Sequence, residues 1–113
     1  MRTIIAGSRD IVDLDVVLEA IANSGIDITT VVSGGARGVD TLGEHAAKMM
    51  NIPVMRYEAD WDLYGKSAGY KRNGVMAKNA DALIAVWDGK SRGTEHMITL
   101  ARLRGLKVFV WRA

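Results

Sequence analysis

The 113-residue sequence predicts a three-layer α/β sandwich in which a five-stranded parallel sheet lies between two layers of helices. Three observations predict it. Short apolar runs occur five times, segments with helical periodicity separate them, and the runs are apolar throughout rather than alternating. Continuous apolarity is typical of strands buried on both faces, and alternation of strand and helix along the chain favours parallel pairing. We expect the strand order 3-2-1-4-5.

The five predicted strands share β-branched residues and continuous apolarity. In chain order they are RTIIA (2–6), ITTVV (28–32), PVMRY (53–57), ALIAVW (82–87) and KVFVW (107–111). Each run is far shorter than the roughly 20 apolar residues that cross a bilayer. The sequence therefore predicts no membrane-spanning segment.

Apolar residues at helical spacing mark the connecting segments. The positions that mark three of these helices are, in chain order, Leu14, Val17, Leu18 and Ile21; Val39, Leu42, Ala46 and Met50; and Met97, Ile98 and Ala101. Gly25 and Gly105 are well placed to end the first and the last of them. A further helix is predicted for residues 68–78, although Gly74 interrupts its pattern.

The longest segment without a periodic pattern is 58–67, whose sequence is EADWDLYGKS. A loop of that length in a compact domain is usually functional. Two interpretations stay open. Trp61 stacks on a base with help from Tyr64 or Tyr70, or it packs a surface loop against a helix.

Composition excludes several classes of protein. The chain has no cysteine, so it has no disulfide framework and no thiolate nucleophile, which fits a reducing compartment. Met1 leads directly into RTIIAG without the apolar run of a signal peptide. His45 and His96 lack partners at ligand spacing, so we expect no metal. We also expect no cofactor. Without a linker or repeat, residues 1–113 are predicted to form a single cytoplasmic domain.

Glycines and arginines coincide just after the predicted strands. Because parallel strands end at one edge of the sheet, the following loops meet there, where ligands bind in such folds. Glycine exposes backbone N–H groups, the next helix N-terminus favours an anion, and arginine binds phosphate with paired hydrogen bonds. The residues predicted to bind an anionic ligand are Gly7, Ser8, Arg9, Gly34, Gly35, Arg37, Gly38, Lys66, Arg72, Asn73, Gly89, Arg92, Gly93 and Thr94.

Two common phosphate-binding motifs are absent. The dinucleotide fingerprint requires G-x-G-x-x-G after the first strand, where this chain has GSRD. The P-loop requires G-x-x-x-x-G-K-[ST]. Gly89-Lys90-Ser91 supplies its tail, but Ile84 occupies the place of its first glycine.

Four motifs together resemble the SLOG superfamily, and within it the YspA/cpYpsA-related group of mostly uncharacterised bacterial and phage proteins. They are GSRD (7–10), SGGARGVD (33–40), ADW followed by GKSAGYKRN (59–61 and 65–73), and WDGKSRGT (87–94). The motifs extend from Gly7 to Thr94, so the resemblance covers nearly the whole chain. It implies a Rossmann-like SLOG domain that binds a nucleotide or nucleotide-derived ligand at these loops.

The resemblance leaves an enzymatic function open. Relatives include the Lonely Guy phosphoribohydrolases, which cut the N-glycosidic bond of nucleoside monophosphates. Their motif P-G-G-x-G-T-x-x-E matches Gly89, Gly93 and Thr94, but its glutamate position is occupied here by Met97. Such a hydrolase needs a carboxylate. The catalytic candidates are Asp40, Glu44 and Glu95. Acids in the first turn of a helix also stabilise it, which is the structural interpretation of two of these candidates.

A third function comes from another relative, the DNA-processing protein A group, which binds single-stranded DNA. The net charge of +2, from 15 basic and 13 acidic residues, is too even to favour nucleic acid. We therefore expect a sensor or binding module for a nucleotide-derived small molecule, with N-glycosidase activity and DNA binding as alternatives. Apolar side chains at Met49, Met50, Trp61 and Leu103, together with the resemblance, also predict a homo-oligomer.

Overall fold

The computed structural model describes residues 1–113. Its strands are β1 (Arg2–Gly7), β2 (Thr30–Ser33), β3 (Val54–Arg56), β4 (Ala82–Trp87) and β5 (Lys107–Arg112), and its helices are α1 (Leu14–Ser24), α2 (Val39–Met49), α3 (Trp61–Tyr64), α4 (Ala68–Lys78) and α5 (Arg92–Leu103). All strands pair in parallel in the order β3-β2-β1-β4-β5. The predicted sheet and its strand order are confirmed.

Neighbouring residues of each central strand point into two separate cores. Ile5 and Ile84 pack with α1 and α2, whereas Ile4 and Leu83 pack with α4 and α5. All four side chains are fully buried. Because both faces of the sheet are covered, the strands are apolar at successive positions, and the predicted three-layer arrangement is confirmed.

Helix α2 approaches the sheet unusually closely. A Cβ atom on Gly43 would lie 2.7 Å from Cγ2 of Ile5, so only glycine fits between this helix and β1. The contact brings the N-terminus of α2 to the carboxyl ends of β1 and β2. That edge of the sheet carries the glycine-rich loops.

Residues 58–67 contain more regular structure than the sequence predicts. Asp60 caps α3 by accepting a hydrogen bond from Leu63 N at 3.0 Å, and a 3-10 turn, Gly65–Ser67, follows the helix. A helix of four residues is about one turn long. It therefore shows no periodicity in the sequence, and its cap was the only signal that could have revealed it.

The apolar residues expected at the surface are exposed. The exposed fraction is 58% at Met49, 39% at Met50, 51% at Trp61 and 78% at Leu103. The homo-oligomer stays a prediction that these exposures motivate. None of the helices combines the length and the apolarity that crossing a membrane requires.

Candidate functional site

Two adjoining cavities open at the carboxyl edge of the sheet. The first, which we call the inner cavity, has a volume of about 360 Å³ and reaches the buried side chain of Met97. The predicted ligand-binding residues that line it are Gly7, Arg9, Lys66, Arg72, Asn73, Gly93 and Thr94. The second, the outer cavity, adds Gly34, Gly35 and Arg37. Arg9 and Arg72 line both, so the cavities form one continuous site.

Ser8 ties the loops around this site together. Its N–H donates to Val86 O at 3.1 Å, its carbonyl accepts from Val39 N at 3.3 Å, and its Oγ accepts from Asp88 N at 3.1 Å. The side chain is buried and lines neither cavity. Ser8, which the sequence predicts as a ligand residue, therefore uses its hydrogen bonds to connect three loops.

Glycines let backbone and side chains crowd together beside the outer cavity. Gly38 has a φ of +79°, and a Cβ atom there would lie 2.5 Å from the carbonyl oxygens of Ser8 and Arg9. At Gly34 a Cβ atom would lie 2.5 Å from Nη1 of Arg72 and 2.8 Å from Oδ2 of Asp40. The loop thus permits a guanidinium and a carboxylate to reach the backbone of the same glycine.

The backbone N–H groups of the same loop are only partly used by the chain. Gly35 N donates to Ser33 Oγ at 3.1 Å, and Ala36 N donates to Asp40 Oδ2 at 3.3 Å. The N–H groups of Gly34 and Arg37 donate to no group of the chain. Both residues line the outer cavity, so two backbone donors stay free beside its arginines.

Helix α4 supplies a half-buried cation. Nη1 of Arg72 donates to Gly34 O at 2.6 Å, and Nε donates to Asn73 Oδ1 at 3.1 Å. Nη2 has no hydrogen-bond partner in the chain. Burial lowers the pKa of Arg72, and the nearby Asp40 carboxylate opposes that effect. A guanidinium stays charged at neutral pH, so Arg72 offers free donors to an anion.

Asn73 joins α4 to α5. Its Nδ2 lies 3.4 Å from Gly93 O and 3.2 Å from Nδ1 of His96, whose ring meets the ring of Tyr70 edge-on at 4.5 Å. Burial lowers the pKa of His96, which favours a neutral ring that accepts from Asn73. Both helices are thereby fixed where they line the inner cavity.

Asp40 is the acid that lines the inner cavity. The residue is 5% exposed, and its Oδ1 has no hydrogen-bond partner in the chain. Burial raises its pKa from 3.8 to about 6, although Arg72, the Ala36 amide and Arg9 favour the ionised form. At neutral pH the inner cavity therefore contains an ionised acceptor.

The other two catalytic candidates lie elsewhere. Glu44 accepts from Ser33 Oγ at 2.6 Å and from Arg56 Nε at 3.1 Å. Burial alone would raise its pKa, but the bonds from Arg56 and Ser33 lower it below the usual range. Glu95 is exposed on α5. Neither acid lines a cavity.

Three further predicted ligand residues also line neither cavity. Gly38 forms the start of α2, and Gly89 packs against the guanidinium of Arg112. Arg92 is exposed at the first residue of α5. Arg37, at the mouth of the outer cavity, is exposed and lies 3.8 Å from Asp10.

Sequence reasoning missed several lining residues. They are Ala6, Ala36, Gly69, Ser91 and Met97 in the inner cavity, and Glu58 and Ala59 in the outer cavity. Helical spacing held the signal for two of them, because Gly69 lies four residues before Asn73 and Met97 four after Gly93. Trp61 and Tyr70, weighed as base-stacking residues, both line the inner cavity and are 51% and 45% exposed.

Comparison with known proteins gives three similarities. Residues 1–64 match the family described as the YspA, cpYpsA-related SLOG family. The chain is 35% identical over 119 residues to the Gene 61 protein of Mycobacterium phage D29, covering 95% of this chain and 93% of that protein. Its fold is similar to the X-ray structure of DNA processing protein A from Streptococcus pneumoniae, with a TM-score of 0.75, 19% identity and 96% of this chain covered. The chain spans 49% of that pneumococcal chain.

Proposed function

The chain belongs to the YspA, cpYpsA-related SLOG family, and we propose that it binds a phosphate-bearing nucleotide or nucleotide-derived ligand, as a sensor or binding module. One observation carries the proposal. Arg72, Gly34 and Arg37 each carry a donor that bonds to no group of the chain, and all three residues line the joined cavities at the carboxyl edge of the sheet.

The outer cavity suits the phosphate. Its lining includes Arg9, Arg37 and Arg72 and two residues with free backbone N–H groups, and helix α2 begins beside it. The one acid in the lining, Glu58, is paired with Arg56 at 3.2 Å. The N-terminal end of a helix carries partial positive charge, which favours an anion. Hydrogen bonds to a charged group contribute about 1.5–3 kcal/mol each, so a few of them are enough for specific binding.

The inner cavity suits the sugar and base. Its volume of about 360 Å³ lies within the range of roughly 300–1,000 Å³ typical of small-ligand sites. Ala6 and Met97 supply apolar surface, and Trp61 and Tyr70 supply aromatic faces on which a base can stack.

Thermal melting tests the proposal. The wild-type protein is mixed with nucleoside mono-, di- and triphosphates, ADP-ribose and NAD in turn. A ligand at 100 times its dissociation constant stabilises the folded state by about 2.7 kcal/mol, which raises the melting temperature by several degrees. We expect at least one member of the panel to do so.

Two arginine variants show where the ligand binds. Arg37→Ala removes an exposed cation from the outer cavity, and Arg104→Ala removes another exposed cation at the C-terminal end of α5. The shift should shrink in Arg37→Ala and persist in Arg104→Ala. No shift across the whole panel, or equal shifts in both variants, would refute the proposed site.

Single-stranded DNA binding is a second candidate, favoured by the half-exposed Trp61 beside Arg9 and Arg37 in the outer cavity. Aromatic platforms next to arginines are typical of such sites. Affinity for DNA falls steeply with salt, because each phosphate contact releases counterions. Titration of a labelled oligonucleotide at two salt concentrations separates a many-contact DNA site from a mononucleotide site.

N-glycosidase activity is the enzymatic alternative, and Asp40 is the one candidate acid in the cavity. The position matched to the phosphoribohydrolase glutamate holds Met97, which is buried and cannot activate water. Release of free base from nucleoside monophosphates, followed by chromatography, tests this alternative. Loss of that release in Asp40→Asn would support it.

A further inference from the structure

The inner cavity contains one feature that a phosphate site does not require. Its charged lining residues are Arg9, Lys66, Arg72 and a single acid, Asp40. A bare phosphate would be repelled by this carboxylate. A ligand that fills the inner cavity is therefore expected to bring a hydrogen-bond donor to the place where Asp40 lies.

The carboxylate is built into the site. Asp40 is 5% exposed, its Oδ2 is held by Ala36 N at 3.3 Å, and its Oδ1 has no partner in the chain. Because every fully buried side-chain oxygen of the chain has a hydrogen-bond partner, the unpaired Oδ1 must be accessible, and Asp40 lines the inner cavity. A donor on a ligand would satisfy it.

The position of Asp40 relative to the proposed phosphate site indicates which group of the ligand donates to it. Oδ2 of Asp40 lies within 2.8 Å of where a Cβ on Gly34 would be, and Gly34 carries one of the free N–H groups proposed to bind phosphate. The acceptor and the phosphate donors are therefore close together. In a nucleotide the sugar lies next to the phosphate, whereas amino groups of the base lie on the far side of the sugar.

From this juxtaposition we infer that Asp40 accepts hydrogen bonds from the ribose hydroxyls of the ligand, so that the site selects ribonucleotides over deoxyribonucleotides. The inference rests on the proposed function and specifies its ligand class. Asp40 is then a specificity-determining residue, with no bond made or broken.

The test compares dissociation constants by isothermal titration calorimetry. The probes are the common ribonucleoside 5′-monophosphates with their 2′-deoxy and 3′-deoxy counterparts, and inosine monophosphate to remove the amino group of adenine. The proteins are wild type, Asp40→Asn and the control Asp27→Asn. The control removes the same charge from an exposed residue ahead of β2, at the opposite edge of the sheet.

A hydrogen bond to a charged group contributes more binding free energy than a neutral one, and the difference changes affinity about tenfold. We expect wild type and Asp27→Asn to bind the ribonucleotide about tenfold more tightly than its deoxy counterpart. The ratio should fall close to one in Asp40→Asn, while affinity for the deoxynucleotide is retained.

The ratio should also depend on pH. Arg72 from α4, Arg9 from the loop after β1 and Glu44 on α2 are the charged groups that act on Asp40. Protonation of Asp40 should lower the ribose preference between pH 8 and pH 5. Ionisation of the phosphate near pH 6 cancels, because both ligands carry it.

The outcomes separate the two proposals. Equal affinity of wild type for ribo- and deoxynucleotides overturns the inference and leaves the proposed function standing. A preference that survives in Asp40→Asn, or one that follows the adenine amino group instead, also overturns it. Absence of binding by these monophosphates overturns the inference, and absence of binding by every member of the melting panel as well overturns the proposed function.

Discussion

The two walls of the site differ in how they are held. The glycine wall (residues 33–40) is bonded to the rest of the fold: Arg72 donates to Gly34 O at 2.6 Å, and Val39 N donates to Ser8 O at 3.3 Å. The tryptophan wall (residues 60–67) has no buried residue in α3 or the turn after it, and its hydrogen bonds are local. The glycine wall is therefore held by bonds to distant segments of the fold, whereas the tryptophan wall is held by bonds within its own segment.

This difference predicts how each wall responds to mutation. Changes in the glycine wall should alter stability and binding together, because the same contacts fix the loops and shape the cavity. Changes in the tryptophan wall should alter binding alone.

The largest effect is expected at Gly38. In Gly38→Ala the new Cβ would lie 2.5 Å from two backbone carbonyl oxygens, at a φ of +79°. Backbone strain of this kind costs about 1–3 kcal/mol, and the collision adds to it, so we expect a loss of more than about 3 kcal/mol. Urea denaturation measures it. Gly93→Ala, where a Cβ meets nothing within 4 Å, is the control. Similar midpoints for both variants would show that the glycine wall is not fixed as described.

The next effect comes from Asp40, which opposes folding when it is ionised. Its pKa is raised by burial from 3.8 unfolded to about 6 folded. Its contribution to stability is therefore complete below pH 4 and is lost as the pH rises through about 6. This pKa shift corresponds to a change of about 3 kcal/mol at most in the free energy of unfolding between low and high pH.

Asp40→Asn isolates this contribution. Asparagine keeps an oxygen that can accept from Ala36 N but removes the charge. We expect the variant to be more stable than wild type at pH 8 and to lose that advantage at pH 4, measured by urea denaturation at both values. A variant less stable than wild type at pH 8 would mean that attraction to Arg72 outweighs the burial of the carboxylate.

The sequence predicts the edge of the sheet at which the site lies but not every side chain that faces it. Strand patterning determines that the glycine loops meet, which is why Gly7 and Gly34 line adjoining cavities, whereas Arg72 reaches the same edge from α4. The direction of a side chain depends on partners from distant segments. Glu44 is bound by Arg56 of β3, and Ser8 is used by the loop after β4. Neither partnership leaves a local pattern in the sequence.

In the tryptophan wall, Trp61→Ala should separate binding from stability. Stacking of a base on an aromatic ring contributes about 1–3 kcal/mol, so we expect nucleotide affinity to fall about tenfold or more. The side chain is half-exposed, and stability should change by less than about 1 kcal/mol. Leu63→Ala is the matched control on α3, since Leu63 is 67% exposed and lines neither cavity. Equal losses of affinity in both variants would argue against stacking.

The smallest effect is expected at Gly74. It tests whether the glycine wall is sensitive to substitution because its glycines are crowded or because any glycine would be. Gly74 lies inside α4, and a Cβ atom there would meet nothing within 4 Å. Alanine is favoured over glycine in a helix interior by about 0.5–1 kcal/mol. Gly74→Ala should therefore raise the urea midpoint slightly and leave nucleotide affinity unchanged, because Gly74 lines neither cavity. If Gly74→Ala raises the urea midpoint and Gly38→Ala lowers it, the space around each glycine decides the effect of the substitution. If both variants are less stable than wild type, an added Cβ is as unfavourable in α4 as it is in the glycine wall.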